Sequence, residues 1–460
     1  MLPPFVKKFD FRGVYEKDIT DKDGFYLGLA VQKSLPLKRI LVGWDTRVSS
    51  KHLARNFIQA FQGTNIEINY IDICPIDFIT AAANSFAFDF SVMFTGSHNP
   101  WNWTGLLMHT AGGASVEGEL VNKIVAQYNQ ALSTPYQKPT GSLSDYINFQ
   151  PIIESIYKKK ISALIPLEDI KSMRVCVDLG DGSGYKGLEI LEDLLPQVTF
   201  HRLNDRKVYN AQTPHTADPS QVENMQQLMQ EVREGDYDCG IAFDSDADRA
   251  LAVDEKGNYI NGTLIGSAMM DICTSLRLPI HTFGYAVECG PSLYNTARTK
   301  ENIQTMPVPV GRSIMRRLIR ENKVDLAVEN VGHFYNKAFF MTDSGAFSLV
   351  QILYWISTYG KLSTLVTEHP DGQRTQFTIP RADDQAAALE KLTATINQKF
   401  AGRVQKKIEV DGIRYEFYEG ETLTTWYAWR PSGYEPIEKY YFGSLNQEDY
   451  LYLQEKIRKD

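Results

Sequence analysis

The sequence predicts an α/β protein: three mixed α/β domains with mostly parallel sheets, followed by a smaller C-terminal α+β domain. One alternation of short apolar runs with amphipathic stretches begins three times, near residues 39, 173 and 263. After about residue 366 it gives way to aromatic-rich strands with a helix before and a helix after them. The chain has 460 residues. Single cores rarely grow beyond ~250–300 residues, so several domains of ~100–150 residues are expected.

In chain order, residues 39–45 read as a buried strand and 49–62 as a helix, with Leu53, Phe57 and Phe61 recurring on one face. A strand over 86–95 delivers the chain into Gly96-Ser97-His98-Asn99-Pro100, whose Gly and Asn-Pro break regular structure. The same grammar restarts with a strand at 173–179, a Gly-rich turn at 180–184, a helix, and a strand at 238–243. The third unit has a helical stretch at 263–275, strands at 283–289 and 325–328, and between them a helix beginning near Arg312. The last unit reads as a strand, a helix over 383–399, strands at 415–418 and 424–429, and a final helix from Gln447. The expected domains are 1–145, 146–254, 255–365 and 366–460. In alternating βαβ units ligands lie beyond the carboxyl ends of the strands. The loops after 86–95 and after 238–243 both leave strands at that end.

Composition narrows the partners. The formal charge of −8 is spread over interspersed acidic and basic residues, without the basic stripe that nucleic-acid binding needs. The five cysteines are isolated and show no CxxC spacing, which suits a reducing compartment. No run of about 18 uncharged apolar residues occurs, and residues 1–12 lack a signal-like apolar segment. These features predict a soluble cytoplasmic protein, a monomer or small homo-oligomer, with a small-molecule ligand and no nucleic-acid or membrane partner.

Asp244-Ser245-Asp246-Ala247-Asp248-Arg249 places three carboxylates two residues apart, so a curled loop can converge them on one hard cation. The spacing also matches the opening of an EF-hand, with Glu255 at its twelfth position. That reading fails because Arg249 stands where the sharp turn needs Gly, and 250–254 reads as a strand instead of an exiting helix. Mg2+ is the expected ion, since few carboxylates plus a phosphate oxygen suit it. Arg249 is placed to meet an anionic substrate. Thr95-Gly96-Ser97-His98-Asn99-Pro100 offers a hydroxyl and an imidazole on a permissive backbone; taken alone it reads as a plain turn.

Together the motifs resemble the α-D-phosphohexomutase family. Four segments stand in that family's order: TGSHNP from Thr95, DSDADR from Asp244, ENVGH from Glu329 and RPSGYEP from Arg430. Smaller echoes are Phe11-Arg12-Gly13, Gly43-Trp44-Asp45-Thr46-Arg47, Val310-Gly311 and Asp343-Ser344-Gly345. The resemblance implies four domains around a central cleft, contributing a phosphoserine loop, a metal loop, a sugar loop and a phosphate-binding loop. It implies that Ser97 carries the phosphoryl group and joins Asp244, Asp246 and Asp248 in the shell of Mg2+. His98, Arg12 and His333 are the implied catalytic neighbours. Arg249, Gly311, Glu329, His333, Arg430, Ser432, Gly433, Tyr434 and Lys439 are the implied substrate contacts. The implied reaction interconverts hexose 1-phosphate and hexose 6-phosphate, of glucose or mannose, with a hexose 1,6-bisphosphate as intermediate and activator.

Some positions depart from the family pattern. Leu107 occupies the place of a usual Lys, Val331 that of a sugar-binding Ser, and Tyr434 that of a small Thr. Ser245 for Gly and Lys439 for Arg are milder changes. A positioned acid-base group contributes ~10²- to 10⁴-fold in rate. Leu107, Val331 and Tyr434 therefore motivate an alternative, a catalytically weakened paralogue that binds sugar phosphates or partners without rapid turnover.

Overall fold

The computed structural model describes residues 3–6, 11–381, 385–432 and 437–459, and holds four sheets. The first three are parallel at their centres with antiparallel strands at one edge. In the first, Arg39–Trp44 lies between Glu67–Ile73 and Phe90–Phe94, all parallel, with Ile147–Asn148 at one end. Trp103–Thr110 and then Phe11–Val14 continue the other end antiparallel. The second sheet runs Tyr259–Ile260, Ala250–Asp254, Cys239–Phe243, Met173–Asp178, Val198–Leu203. The third runs Gln304–Val308, Thr282–Ala286, Leu326–Val328, Phe334–Asn336. Phe90–Phe94 and Cys239–Phe243 are buried at every residue, as expected of central parallel strands covered on both faces.

The fourth sheet is wholly antiparallel, in the order Gln373–Pro380, Ile437–Ser444, Thr422–Pro431, Ile413–Glu419, Val404–Ile408. Its own core joins Leu392 and Ile396 of helix Gln385–Lys399 and Leu453 and Ile457 of helix Gln447–Lys459 to Phe417, Tyr427 and Phe442 of the strands. The expected start of the first of these helices, at residue 383, lies outside the described residues.

One apolar core runs from the first unit through the second and third. Helix Gly345–Tyr359 belongs to the third unit and is buried on nearly every face. It approaches helix Tyr185–Leu194 of the second so closely that a Cβ on Gly187 would stand 2.7 Å from that of Ala346. The expected strand over 86–95 begins only at Phe90. Phe86 and Phe88 are apolar because their rings pack edge-on against Phe149, at 4.9 and 5.1 Å, and not because they lie in the sheet. Among the described residues no helix is long and apolar enough to cross a membrane.

Candidate active site

Strand Phe90–Phe94 ends in the Ser97 loop, and strand Cys239–Phe243 ends in the Asp244 loop. Ser97 is buried, with a left-handed φ of 50°, a backbone state costly for a non-glycine residue and often found at functional sites. Its N–H donates to Thr95 Oγ1 at 2.7 Å, and its Oγ lies 3.2 Å from His98 Nδ1. Arg47 clamps the loop, donating from Nη2 to the carbonyls of Ser97 (2.7 Å) and Asn99 (2.8 Å). Gly96 is required here, because a Cβ would press on that guanidinium at 2.9 Å and on Trp103 O at 2.7 Å.

Ser245 joins the two loops. Its hydroxyl donates to Ser97 O at 2.6 Å and accepts from Arg47 Nη1 at 2.9 Å. The rest of the Asp244 loop is pinned through its carbonyls by all three α/β units. Ile76 N–H reaches Asp246 O (3.0 Å), Ser183 N–H reaches Ser245 O (2.8 Å), and Gly345 N–H reaches Ala247 O (2.9 Å).

Asp244, Asp246 and Asp248 are each 0% exposed, and one oxygen from each falls within 4.8 Å of the others. Asp244 Oδ2, Asp246 Oδ1 and Asp248 Oδ1 are buried without a hydrogen-bond partner. Burial, and then the neighbouring Asp246, push the Asp244 carboxyl well above the usual carboxylate range. Converging acceptors that the chain itself leaves unsatisfied fit an oxygen-bound divalent cation.

Arg249 follows directly and bridges three groups. Its Nε donates to His333 Nε2 (3.0 Å), its Nη2 to His98 Nδ1 (2.9 Å) and its Nη1 to Asp218 Oδ1 (3.1 Å). Both imidazoles therefore offer a lone pair to the guanidinium and are neutral. Burial, and next Arg249, lower His98 well below its ordinary value and bring His333 down to about 4. Asp343 fixes the other face of His333, with Oδ2 2.9 Å from Nδ1. Burial opposes ionisation of Asp343, but Arg316, donating to Oδ1 at 2.8 Å, and His333 hold the carboxyl far below the usual range.

The Glu329 and Arg430 segments are linked to this centre by charge, since Arg249 and Arg430 both act on Glu329. Glu329 is buried, and its Oε1 accepts from Gly311 N–H at 3.3 Å. Burial, and then the carboxylate of Glu288, push Glu329 up to about 7. Arg430 ends strand Thr422–Pro431 and donates to Asp411 Oδ2 at 3.2 Å; the same oxygen accepts from Val310 N–H at 3.3 Å. Lys439 lies opposite Arg430 in the sheet register, and Ser432 N–H donates to Ile437 O at 2.9 Å. Gly433 and Tyr434 lie outside the described residues. Arg12 sits on the antiparallel edge beside Gly105, and its charge is felt at His98.

Leu107 pairs with Met93 inside the first sheet and packs on the apolar core. The cation facing the acidic loop is instead Arg312, at the start of helix Arg312–Arg320, with Nη2 on Asp248 Oδ2 and Nε 3.9 Å from Asp343 Oδ2. In the sequence Arg312 marks only a helix start, and its sole signal is its place after Val310-Gly311. Asp218 and Arg316, which also reaches His109 Nε2 at 2.9 Å, stand in no local pattern, and Asp343-Ser344-Gly345 marks Asp343 without revealing that it orients His333.

A strained serine beside an unsatisfied buried carboxylate set, ringed by neutral imidazoles and guanidinium groups, defines an enzyme of phosphoryl transfer. Models of the phosphoglucomutase/phosphomannomutase α/β/α domains I, II and III match residues 5–134, 153–257 and 276–372. The chain thus belongs to the α-D-phosphohexomutase family. It is 26% identical to a phosphoglucosamine mutase of Clostridium tetani over 95% of this chain and 94% of that one. It is also 26% identical to a phosphoglucomutase of Neisseria gonorrhoeae, over 90% of this chain and 88% of that one. The fold matches a phosphoglucomutase/phosphomannomutase family protein of Burkholderia thailandensis with a TM-score of 0.79 at 22% identity, over 98% and 96% of the two chains. An Aspergillus fumigatus N-acetylphosphoglucosamine mutase, solved with GlcNAc-6P and magnesium, matches with a TM-score of 0.57 at 13% identity, over 84% and 92%.

Proposed function

We propose that the protein interconverts hexose 1-phosphate and hexose 6-phosphate, of glucose or mannose, through a phosphoserine at Ser97. The observation that carries this reading is the junction of the Ser97 and Asp244 loops. Through Ser245 and Arg47 the serine is locked beside three buried carboxylates with unsatisfied oxygens. Asp244, Asp246, Asp248 and a phosphate oxygen on Ser97 would hold Mg2+, which when bound would offset the charge on the transferring group.

The chain's own groups divide the remaining work. The phosphoryl passes from Ser97 Oγ to a sugar hydroxyl: the Ser97 Oγ–P bond breaks as the sugar O–P bond forms, and the proton given up by the hydroxyl is matched by one taken up at Ser97 Oγ, 3.2 Å from His98 Nδ1. The resulting 1,6-bisphosphate returns its other phosphoryl to Ser97 by the reverse exchange. Arg312, from the third unit, supplies the positive charge that Leu107 cannot. Glu329 accepts hydrogen bonds from the sugar hydroxyls, and His333, whose carbonyl accepts from Glu329 N–H at 3.0 Å, stands beside it. Arg430 grips the distal phosphate with its planar fork of donors, supported by Ser432, Gly433, Tyr434 and Lys439. Free hexose 1,6-bisphosphate would prime the serine, and the cytoplasm, where sugar phosphates are abundant, is the proposed location.

A coupled assay with glucose 1-phosphate, mannose 1-phosphate and glucosamine 1-phosphate, with Mg2+ and a bisphosphate activator, tests the reading. Interconversion of at least one supports it; turnover of none by phosphorylated, metal-loaded protein overturns it. The core-packed Leu107 favours one second reading, a slow paralogue that binds sugar phosphates. Leu107→Lys separates the two: a large rate gain favours the slow paralogue, and an unchanged rate favours the intact shuttle.

A further inference from the structure

Glu288 interrupts the apolar stretch that leaves strand Thr282–Ala286. That strand runs parallel beside Leu326–Val328, with Tyr285 opposite Val328, so Glu288 and Glu329 emerge from neighbouring strands at the same carboxyl edge. The backbone around Glu288 is fixed from the fourth unit. Arg414 Nη1 donates to the carbonyls on either side of it, Val287 O at 2.8 Å and Cys289 O at 2.6 Å. Arg414 is fully buried, lies 4.3 Å over the Trp426 ring and donates from Nε to Glu416 Oε1 at 2.8 Å.

The two flanking side chains turn into protein. Val287 joins an apolar cluster with Trp426, Ala428 and Tyr441, and Cys289 Sγ sits 3.4 Å from Val328 O. Glu288 lies between them, and its charge acts on both Glu329 and Arg430. It is 3% exposed, and its Oε2 is buried with no hydrogen-bond partner.

A buried carboxylate with an orphan oxygen, whose charge acts on a second carboxylate, is relieved by a proton on one of the two, as on Glu329 in the substrate-free protein, or by a cation that completes both. Two guanidinium groups act on the same corner, and neither bonds Glu288: Arg430 spends Nη1 on Asp411 and leaves Nε without a partner, and Arg374 leaves Nη1 without one. A second metal ion does not fit: among the described residues the sets of three ligating side chains within reach of one another both centre on Asp248, not here. A neutral sugar hydroxyl would give Glu288 one hydrogen bond and no charge, whereas an ammonium gives three donors and a charge.

We propose that Glu288 is a specificity-determining residue, pairing with Glu329 to bind the ammonium group of an amino-sugar phosphate and so to favour hexosamine phosphates over neutral hexose phosphates. This rests on the proposed mutase reaction at Ser97 and puts a hexosamine in place of glucose or mannose as its preferred sugar.

The test compares glucosamine 1-phosphate with glucose 1-phosphate in the full-length, Mg2+-loaded enzyme and in Glu288→Gln, which keeps the side-chain volume. The wild type is expected to show the higher kcat/KM for the amino sugar, and the variant to lose about ten- to a hundredfold of that preference, as removing a charged hydrogen-bond partner does. Calorimetric binding of glucosamine 6-phosphate and glucose 6-phosphate to Ser97→Ala protein, with and without Glu288→Gln, reads the same preference without turnover. A preference unaltered by Glu288→Gln in both measurements overturns the proposal. Turnover of neither sugar overturns the mutase reaction, and the binding ratio then still decides Glu288.

Discussion

Replacing Asp246 by Asn should make the metal-free protein more stable while abolishing its response to Mg2+. Of the three loop carboxylates, Asp244 lies 3.7 Å from Arg249 Nε and Asp248 contacts Arg312. Among the described residues Asp246 has no ion pair; it accepts from Thr95 Oγ1 at 3.3 Å, abuts Asp244, and leaves Oδ1 buried and unsatisfied. An unpaired buried ion carries an effective desolvation penalty of several kcal/mol, which a neutral amide of the same shape avoids. Against that, an ion bound only by the folded state adds about 2.7 kcal/mol at a hundredfold excess over its Kd. Thermal unfolding in chelator and then with increasing Mg2+ measures both quantities. The wild type should be the less stable protein in chelator and should gain several degrees with Mg2+; Asp246→Asn should start higher and stay flat. A variant that is less stable than the wild type in chelator, or that keeps the full Mg2+ shift, would refute the reasoning.

Arg312→Ala should lower kcat/KM by about 10²- to 10³-fold, the scale of one lost electrostatic contact to a transferring group. Arg312→Lys should recover part of that loss, and steady-state kinetics on the three proteins checks it. Glu329 gives a pH dependence. Its folded pKa is raised from 4.5 to about 7, so the stability tied to its protonated form is full below about 4.5 and lost as pH rises to about 7. Relative to Glu329→Gln, the substrate-free wild type should therefore lose thermal stability across that window, and parallel melting curves for the two proteins that do not diverge would contradict it.

Much of the fold was legible because its signals are local. The buried strand before Asp244 and the strand after Arg249, which excluded an EF-hand, lie where the apolar pattern placed them, at Cys239–Phe243 and Ala250–Asp254. The strand before Ser97 came out shorter than expected, since apolarity at Phe86 and Phe88 reports packing on Phe149 and cannot be told from strand by pattern alone. The carboxylate set was equally readable, being three residues of one loop. What pattern could not reveal was pairing across units. Ser245 reads as a mild substitution, yet it ties the serine loop to the acidic loop. Arg249 reads as a substrate ligand, yet its guanidinium is engaged by His98, His333 and Asp218. Leu107 marks a missing cation, and Arg312, more than 200 residues further along the sequence, faces the acidic loop instead.

The central claim is that Ser97 carries the travelling phosphoryl group. Intact mass of the full-length protein, before and after incubation with a hexose 1,6-bisphosphate and Mg2+, tests it most directly. The account predicts one phosphate per chain, retained by the wild type, transferred on addition of a hexose 1-phosphate, and missing from Ser97→Ala. A wild type that never gains phosphate, or a Ser97→Ala protein that gains it equally well, would contradict the claim.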